Sequence, residues 1–347
     1  MSDRLTALAA EIDQQLLVTD LVNIGYLTGF DSSNAALLVQ PKGGATLYTD
    51  FRYIESAREV EGVEAVLSKR TLMADVGEKL KGTVGFEAAV LPYLEWERLS
   101  AGKAKLVAKT GVVEKLRAVK DADEIDRIGK ACRAADRAFE ALTAETFVGR
   151  SEREIAWRLV ELLHAHGADD VSFDPIVASG PNGALPHAHP TDRILEPRTL
   201  VTIDWGARVD GYYSDCTRTL STGGGLPDKL REIYDICLAA QLAACEGIRA
   251  GMTGIEADAL ARKPIEEARY GPEFGHGLGH GIGRAVHEAP RLSTESTDTL
   301  AVNNVLTIEP GIYLPGTGGV RIEDLAVVEE NGVRLLTSFP KQLIEVG

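Results

Sequence analysis

Val201-Thr202-Ile203-Asp204-Trp205-Gly206-Ala207-Arg208-Val209-Asp210-Gly211-Tyr212-Tyr213-Ser214-Asp215 starts as an apolar run, stops at an aspartate, turns at Asp-Gly and returns to a second aspartate. Asp-Gly between strand-like segments is a strong tight-hairpin signal. A hairpin centred at 209/210 sets Asp204 directly opposite Asp215. One centred at 210/211 leaves them diagonal but on one face. Either register brings two carboxylates together, at a cost in energy unless a cation lies between them.

The pattern recurs downstream. Val305-Leu306-Thr307-Ile308-Glu309-Pro310-Gly311-Ile312-Tyr313 is followed by a Pro-Gly-Thr-Gly-Gly loop and then Val320-Arg321-Ile322-Glu323-Asp324. A hairpin centred near Gly316 sets Glu309 opposite Glu323, and each glutamate follows an isoleucine, as expected for acids on the inner face of a buried sheet. Arg321 offers an alternative in which buried salt bridges neutralise the acids. Two such pairs in one chain favour metal, because four carboxylates plus a histidine suit a pair of Mn2+-like ions.

The histidine lies in Gly275-His276-Gly277-Leu278-Gly279-His280-Gly281-Ile282-Gly283-Arg284-Ala285-Val286-His287-Glu288, which holds three of the chain's seven histidines. Interleaved glycines make a regular helix costly, which argues against a metalloprotease helix of the His-Glu-x-x-His kind. The stretch is expected to be an extended or irregular segment lining a cleft, its glycines letting the backbone pass close to whatever the imidazoles hold.

The rest of the chain supplies the frame. At 347 residues, with 44% hydrophobic and 26% charged residues, it has the composition of a soluble globular protein and the length for two domains. A formal net charge of −15 disfavours nucleic acid and anionic membranes as partners. Cys132, Cys216, Cys237 and Cys245 form no C-x-x-C pair and read as reduced thiols. With no signal-peptide pattern and no bilayer-length apolar run, the expectation is a cytoplasmic protein.

Residues 1–110 alternate strands (16–19, 35–40, 45–49, 63–67, 84–86) with helices (52–60 with Asp50 as N-cap, 71–80, 93–100), which predicts an α/β domain. Gly43-Gly44 reads as a turn and not as a phosphate cradle. A connector and long helix occupy 112–144, and Ser151-Glu152-Arg153-Glu154 is a capping box opening a helix that ends near Gly167. Helices follow at about 227–249 and 255–269, between hairpin-rich regions at 171–221 and 273–340. The expectation is an α/β domain over 1–115 and an α+β domain over 116–347.

Asp204 with Asp215, His280, Glu309 in Glu-Pro-Gly and Glu323 in Arg-Ile-Glu-Asp together resemble the ligand set of the pita-bread metallopeptidases, the family of prolidase, aminopeptidase P and methionine aminopeptidase. Ala-Ser-Gly-Pro-Asn-Gly-Ala-Leu-Pro-His187, His-Gly-Leu-Gly-His-Gly-Ile-Gly-x-x-x-His-Glu and Glu-Lys-Leu-Arg-x-x-Lys support the resemblance, which spans the whole chain. It implies a creatinase/prolidase-like α/β N-terminal domain before an α+β pita-bread (creatinase/aminopeptidase-like) catalytic domain. It implies two divalent ions, Mn2+ first with Co2+, Fe2+ or Zn2+ as alternatives, bridged by Asp215 and Glu323. Asp204 would complete one site; His280 and Glu309 would complete the other. His276 and His287 match substrate-side histidines, and His187 matches the histidine that stabilises the tetrahedral intermediate. His189 matches no role and reads as solvated.

The N-terminal domain points to the proline-specific branch, so the expected reaction is hydrolysis of an Xaa-Pro bond with Glu309 as general base. Two rivals share the fold, a metal-free creatinase-like hydrolase and a non-catalytic binding protein, and both should lack ligands that this chain retains. Arg291 matches the arginine with which prolidases bind the substrate carboxylate; an Xaa-Pro aminopeptidase needs none. The resemblance also implies a homodimer. Asp50-Phe51-Arg52-Tyr53 is read as a helix cap or, functionally, as a segment through which a neighbouring subunit brings Arg52 or Tyr53 to the cleft.

Overall fold

The computed structural model of this chain describes residues 2–347. It divides into two compact units, one ending at Arg117 and one running from Ala118 to Gly347. In the first, α1 (Asp3–Glu11), β1 (Gln15–Val18) and α2 (Leu21–Thr28) precede a hairpin of β2 (Ala35–Val39) and β3 (Ala45–Thr49). Then come α3 (Ile54–Arg58), β4 (Glu64–Leu67), α4 (Leu72–Lys79), β5 (Thr83–Glu87), α5 (Tyr93–Ser100), β6 (Lys105–Lys109) and α6 (Val112–Ala118). The strands form one sheet in the order β4-β3-β2-β1-β5-β6.

Leu16, Val18, Leu37 and Val39 pack on one face with Leu5, Leu8 and Ile24. The intervening Leu17, Ala36 and Leu38 pack on the other with Met73, Val76 and Leu99. Burial on both faces is why these strands read as unbroken apolar runs. It also hid α2, whose residues Asn23 to Leu27 are all buried and so show no amphipathic period. The helix expected over 52–60 is shorter, and Asp50 does not cap it. Its carboxylate instead accepts the Arg52 amide (2.9 Å) and guanidinium (3.0 and 2.7 Å).

The second unit repeats one theme, a helix pair laid on an antiparallel sheet. In its first half α7 (Ala122–Thr143) and α8 (Glu152–Ala165) are each opened by a capping box, Asp121/Glu124 and the expected Ser151/Glu154. The strands of this half are β7 (Asp170–Val171), β8 (Ile176–Ser179), β9 (Leu200–Trp205), β10 (Ala207–Val209), β11 (Tyr212–Tyr213) and β12 (Cys216–Ser221). Phe139, Leu159, Val201, Ile203 and Trp205 share its core, with Phe139 stacked on Trp205 at 3.7 Å between ring centroids.

The second half has α9 (Asp228–Gly247) and α10 (Gly254–Glu267), then β13 (Gly279–Gly281), β14 (Glu288–Leu292), β15 (Val305–Ile308), β16 (Gly311–Leu314), β17 (Gly318–Arg321), β18 (Asp324–Glu329) and β19 (Gly332–Leu335). Its main sheet runs β14-β13-β15-β18-β19, with β16 and β17 as a separate pair. Ile233, Tyr234, Ala257, Leu306 and Ile308 lie in its core.

Each acidic hairpin changes sheet at its acids. The chain crosses from β9 to β10 through Gly206, where an added Cβ would lie 2.0 Å from the Ser214 carbonyl oxygen and 2.6 Å from the Ser172 hydroxyl. Only glycine admits that crossing. The second hairpin passes between sheets across Glu309-Pro310 and Ile322-Glu323. Carboxylates at such breaks stand where the ladder opens and can converge.

Candidate metal centre

Thr217 stands opposite Asp204 in the β9–β12 ladder, and Arg208 opposite Tyr213 in β10–β11. Asp204 and Asp215 are therefore diagonal on one face, the second of the two registers that the turn allows. In the other hairpin Gly311 pairs with Arg321 and Ile308 with Asp324, so one register continues across the break and sets Glu309 against Glu323. Oxygens of Asp204, Asp215 and Glu323 lie within 4.8 Å of one another. His280 on β13 closes the group, with Nε2 3.4 Å from Glu309 Oε1 and 3.8 Å from Asp215 Oδ2.

The extended reading of the histidine stretch agrees with β13, but its glycines do different work. A Cβ at Gly277, Gly279 or Gly281 would lie 2.5 Å from the Leu292 carbonyl, 2.1 Å from that of Thr307 and 2.1 Å from that of Ala289. They let the strands on either side close on β13; they do not make room for whatever the imidazoles hold.

Asp204, Asp215, His280, Glu309 and Glu323 line a cleft of about 590 Å3, together with His187, His276, His287, Arg291 and Arg321. His187 and His287 are exposed to it, and the His287 ring meets His280 edge-on at 4.4 Å. His280 and Arg291 are directly opposite in the β13–β14 ladder, so both side chains project from the same face. The Arg291 guanidinium has no hydrogen-bond or ionic partner among the described residues. His276 differs. Its Nδ1 donates to the Gly277 carbonyl (2.8 Å) and its Nε2 accepts from the Tyr313 hydroxyl (3.0 Å), so both nitrogens are already engaged. Burial lowers its pKa to about 4, which keeps the ring neutral.

The electrostatics call for cations. Burial, reinforced by the Glu323, Asp204 and Glu309 charges, pushes the Asp215 carboxyl far above the usual carboxylate range. Burial and the Glu309 and Asp204 charges do the same to Glu323, and burial raises Glu309 to about 7. His280 Nδ1 donates to the Gly281 carbonyl (3.0 Å), which leaves the Nε2 lone pair facing Glu309 and Asp215. An acceptor aimed at acceptors needs a proton or a metal between them. Asp204 Oδ1 is buried without any hydrogen bond, an orphan that a cation would satisfy. Five oxygen and nitrogen side chains converging this way fit one or two divalent ions.

The salt-bridge alternative holds for one acid. Arg321 Nη2 binds Asp204 Oδ2 at 2.7 Å, while its other nitrogens reach the Tyr313 hydroxyl (2.9 Å), Thr217 Oγ1 (3.1 Å) and the Pro186 carbonyl (3.0 Å). One guanidinium cannot neutralise four carboxylates. Thr217 donates to Glu323 Oε2 (2.6 Å) and Thr307 to Glu309 Oε1 (3.1 Å), orienting both glutamates. Sequence reading passed over Tyr313 and these two threonines. The available signal was parity: Thr217 is two residues from Asp215, Thr307 two from Glu309 and Arg321 two from Glu323, on the same strand faces.

Arg52 and Tyr53 belong to the first unit. Arg52 is held by the fork to Asp50, and the Tyr53 hydroxyl pairs with that of Ser33 at 2.8 Å. His189 is exposed, as expected for a solvated histidine. All four cysteines are free thiols, and Cys216 is buried packing. Among the described residues no helix is long and apolar enough to cross a membrane.

The pattern that defines metallopeptidase family M24 matches residues 126–330, and that of the creatinase/prolidase N-terminal domain matches residues 4–119. A Xaa-Pro dipeptidase of Pyrococcus furiosus is 38% identical over 355 aligned positions, covering 99% of this chain and 100% of its own. Among solved structures, a Xaa-Pro dipeptidase from Bacillus anthracis matches with a TM-score of 0.94 at 40% identity, over 99% of this chain and 98% of that one. An X-Pro aminopeptidase from Thermotoga maritima matches with a TM-score of 0.87 at 35% identity, over 96% and 97%.

Proposed function

Because this chain belongs to metallopeptidase family M24, we propose that it hydrolyses the Xaa-Pro peptide bond, with Xaa-Pro dipeptides as its substrates. The alternative is an aminopeptidase acting on longer peptides with proline second, the activity named for the Thermotoga relative. The observation that favours the dipeptidase is Arg291, an unpartnered guanidinium beside His280 in the cleft. A substrate ending at proline presents a carboxylate there, and arginine binds it with charge-assisted, bidentate hydrogen bonds. A longer peptide has no charge at that position.

Asp204, Asp215, His280, Glu309 and Glu323 would hold two divalent cations. An oxygen-rich set with a single imidazole suits Mn2+, and Co2+, Fe2+ or Zn2+ also tolerate it. When bound, these ions act as Lewis acids that make water nucleophilic near neutral pH and polarise the scissile carbonyl. The chain's own groups do the rest. Glu309, partly exposed to the cleft and steadied by Thr307, takes the proton of the attacking water. His187 and His287, exposed on the cleft, donate to the developing oxyanion or to the leaving imino nitrogen. His276 has no free nitrogen and serves as wall, fixing Tyr313 and through it Arg321. The amide nitrogen before proline carries no hydrogen, so the ring is recognised by shape and the carboxylate by Arg291.

The same reading includes a cytoplasmic homodimer. Arg52 and Tyr53, beside the 79% exposed Phe51, are the residues we assign to a neighbour's cleft. The deciding experiment compares an Xaa-Pro dipeptide with its C-terminal amide and with a tripeptide, in wild type and Arg291→Ala. Losing the charge-assisted contact should lower kcat/KM for the dipeptide by about ten- to a hundred-fold and spare the amide. Equal losses on both substrates, or a wild-type preference for the tripeptide, would select the aminopeptidase.

A further inference from the structure

We propose that Glu152, on α8 and outside the cleft lining, is a positioning residue that sets His187 by pinning the loop that carries it. The inference rests on the reading of His187 as a group that donates to the reacting substrate.

His187 sits between β8 and β9, in a segment whose only regular element is the 3-10 turn Gly180–Ala184. Its ring is exposed and makes no hydrogen bond among the described residues. Nothing holds the imidazole itself, so its aim depends on the backbone beneath it. That backbone is irregular and has no ladder to fix it.

Glu152 supplies the missing anchor. It is 0% exposed, and its carboxylate accepts five hydrogen bonds. Oε1 takes the Ser179 amide (2.6 Å) and hydroxyl (2.8 Å). Oε2 takes Asn182 Nδ2 (2.8 Å), the Thr191 amide (3.0 Å) and the Thr191 hydroxyl (2.7 Å). The donors come from the start, the interior and the return of the loop. Asn182 passes the constraint on through a second bond to the His189 carbonyl (3.2 Å). The Glu152 and Arg153 amides donate to the Arg193 (3.0 Å) and Thr191 (3.1 Å) carbonyls, joining the return leg to the start of α8. Arg321 holds the Pro186 carbonyl at 3.0 Å, one residue before His187, so the guanidinium that pairs with Asp204 completes the frame.

No cation pairs with Glu152 among the described residues. A carboxyl group buried without one is a poor device for stability alone, which apolar packing serves as well or better. What it does provide is geometric restraint, two oxygens accepting five donors in fixed directions. Loss of that restraint should act on the rate, because a displacement of about 1 Å at a reacting group costs on the order of a hundred-fold.

The test is a double-mutant cycle on metal-loaded enzyme with an Xaa-Pro dipeptide. Glu152→Gln puts an amide NH2 against donors that need an acceptor. It should lower kcat by about ten- to a hundred-fold with KM changed less than about three-fold and metal content unaltered. In a His187→Ala background the same change should lower kcat by no more than about two-fold, since the group it aims is gone. Glu152→Asp should recover part of the rate. Thr191→Val, at an exposed position, removes one donor without endangering the fold and should show a smaller loss that also vanishes without His187. Losses that multiply in the His187→Ala background, or wild-type kcat in folded Glu152→Gln, would overturn the proposal. Wild-type activity of His187→Ala alone would instead overturn the reading of His187 on which it stands.

Discussion

Replacing Glu309 by glutamine should stabilise the metal-free protein at neutral pH, although Glu309 belongs to the centre of the site. Burial raises its carboxyl from the usual 4.5 to about 7 when no metal is bound. Between those values the folded state binds the proton more tightly than the unfolded chain, so stability from this group is present below pH 4.5 and falls as pH rises through 7. At about 1.4 kcal/mol per pH unit, the interval corresponds to roughly 3 kcal/mol. Glutamine keeps the shape and the Thr307 contact and never ionises. It also relieves the Glu323 and Asp215 carboxyls of one repelling charge, which acts in the same direction.

Urea unfolding of chelator-treated wild type and Glu309→Gln, followed by the fluorescence of buried Trp205 and the other tryptophans, reads the difference directly. Near pH 4.5 the two proteins should unfold together, and by pH 8 the variant should be more stable by roughly 3 kcal/mol. Comparing the pair cancels opposing groups such as His276, which burial holds at about 4 and which therefore costs stability as pH falls below the unfolded histidine value. Saturating Mn2+ should reverse the order, because a ligand that binds the folded wild type more tightly than the variant stabilises the wild type more by mass action. A gap that does not change with pH, or that closes as pH rises, would refute the view that this carboxylate is held in the fold against its own electrostatics.

Other expectations follow from the same geometry. Glu323→Gln should lower both metal content and rate by orders of magnitude, and full activity in metal-depleted protein would remove the metal reading. His280→Ala should lose metal, while His187→Ala and His287→Ala should keep it and lose about a hundred-fold in rate; elemental analysis beside kinetics separates the roles, and metal loss on His187→Ala alone would invert them. Arg52→Ala should lower kcat/KM if a neighbouring subunit's segment reaches the cleft, and wild-type kinetics with unchanged assembly would confine Arg52 to its fork with Asp50.

The sequence alone carried what is local. Glu309 faces Glu323 because a hairpin about Gly316 equates their distances from the turn, and strand parity does the rest. The Asp210-Gly211 turn narrowed Asp204 and Asp215 to two registers, and the glycine spacing ruled out a helix at His280. Each conclusion needed only the strand period of two or a turn within a few residues of the acids. The tertiary structure decided what depends on surroundings. It selected the diagonal register at Asp204, where Asp210 (φ 51°) and Gly211 (φ 75°) are the two central residues of the turn and Val209 pairs with Tyr212. It showed that the glycines around His280 admit neighbouring strands, because the Leu292 and Ala289 carbonyls approach from β14 and the Thr307 carbonyl from β15, on either side of β13. It gave Arg321 to Asp204, 117 residues away, and Glu152 to the His187 loop. A buried charge finds its partners by where elements pack, and no periodicity in the chain records that.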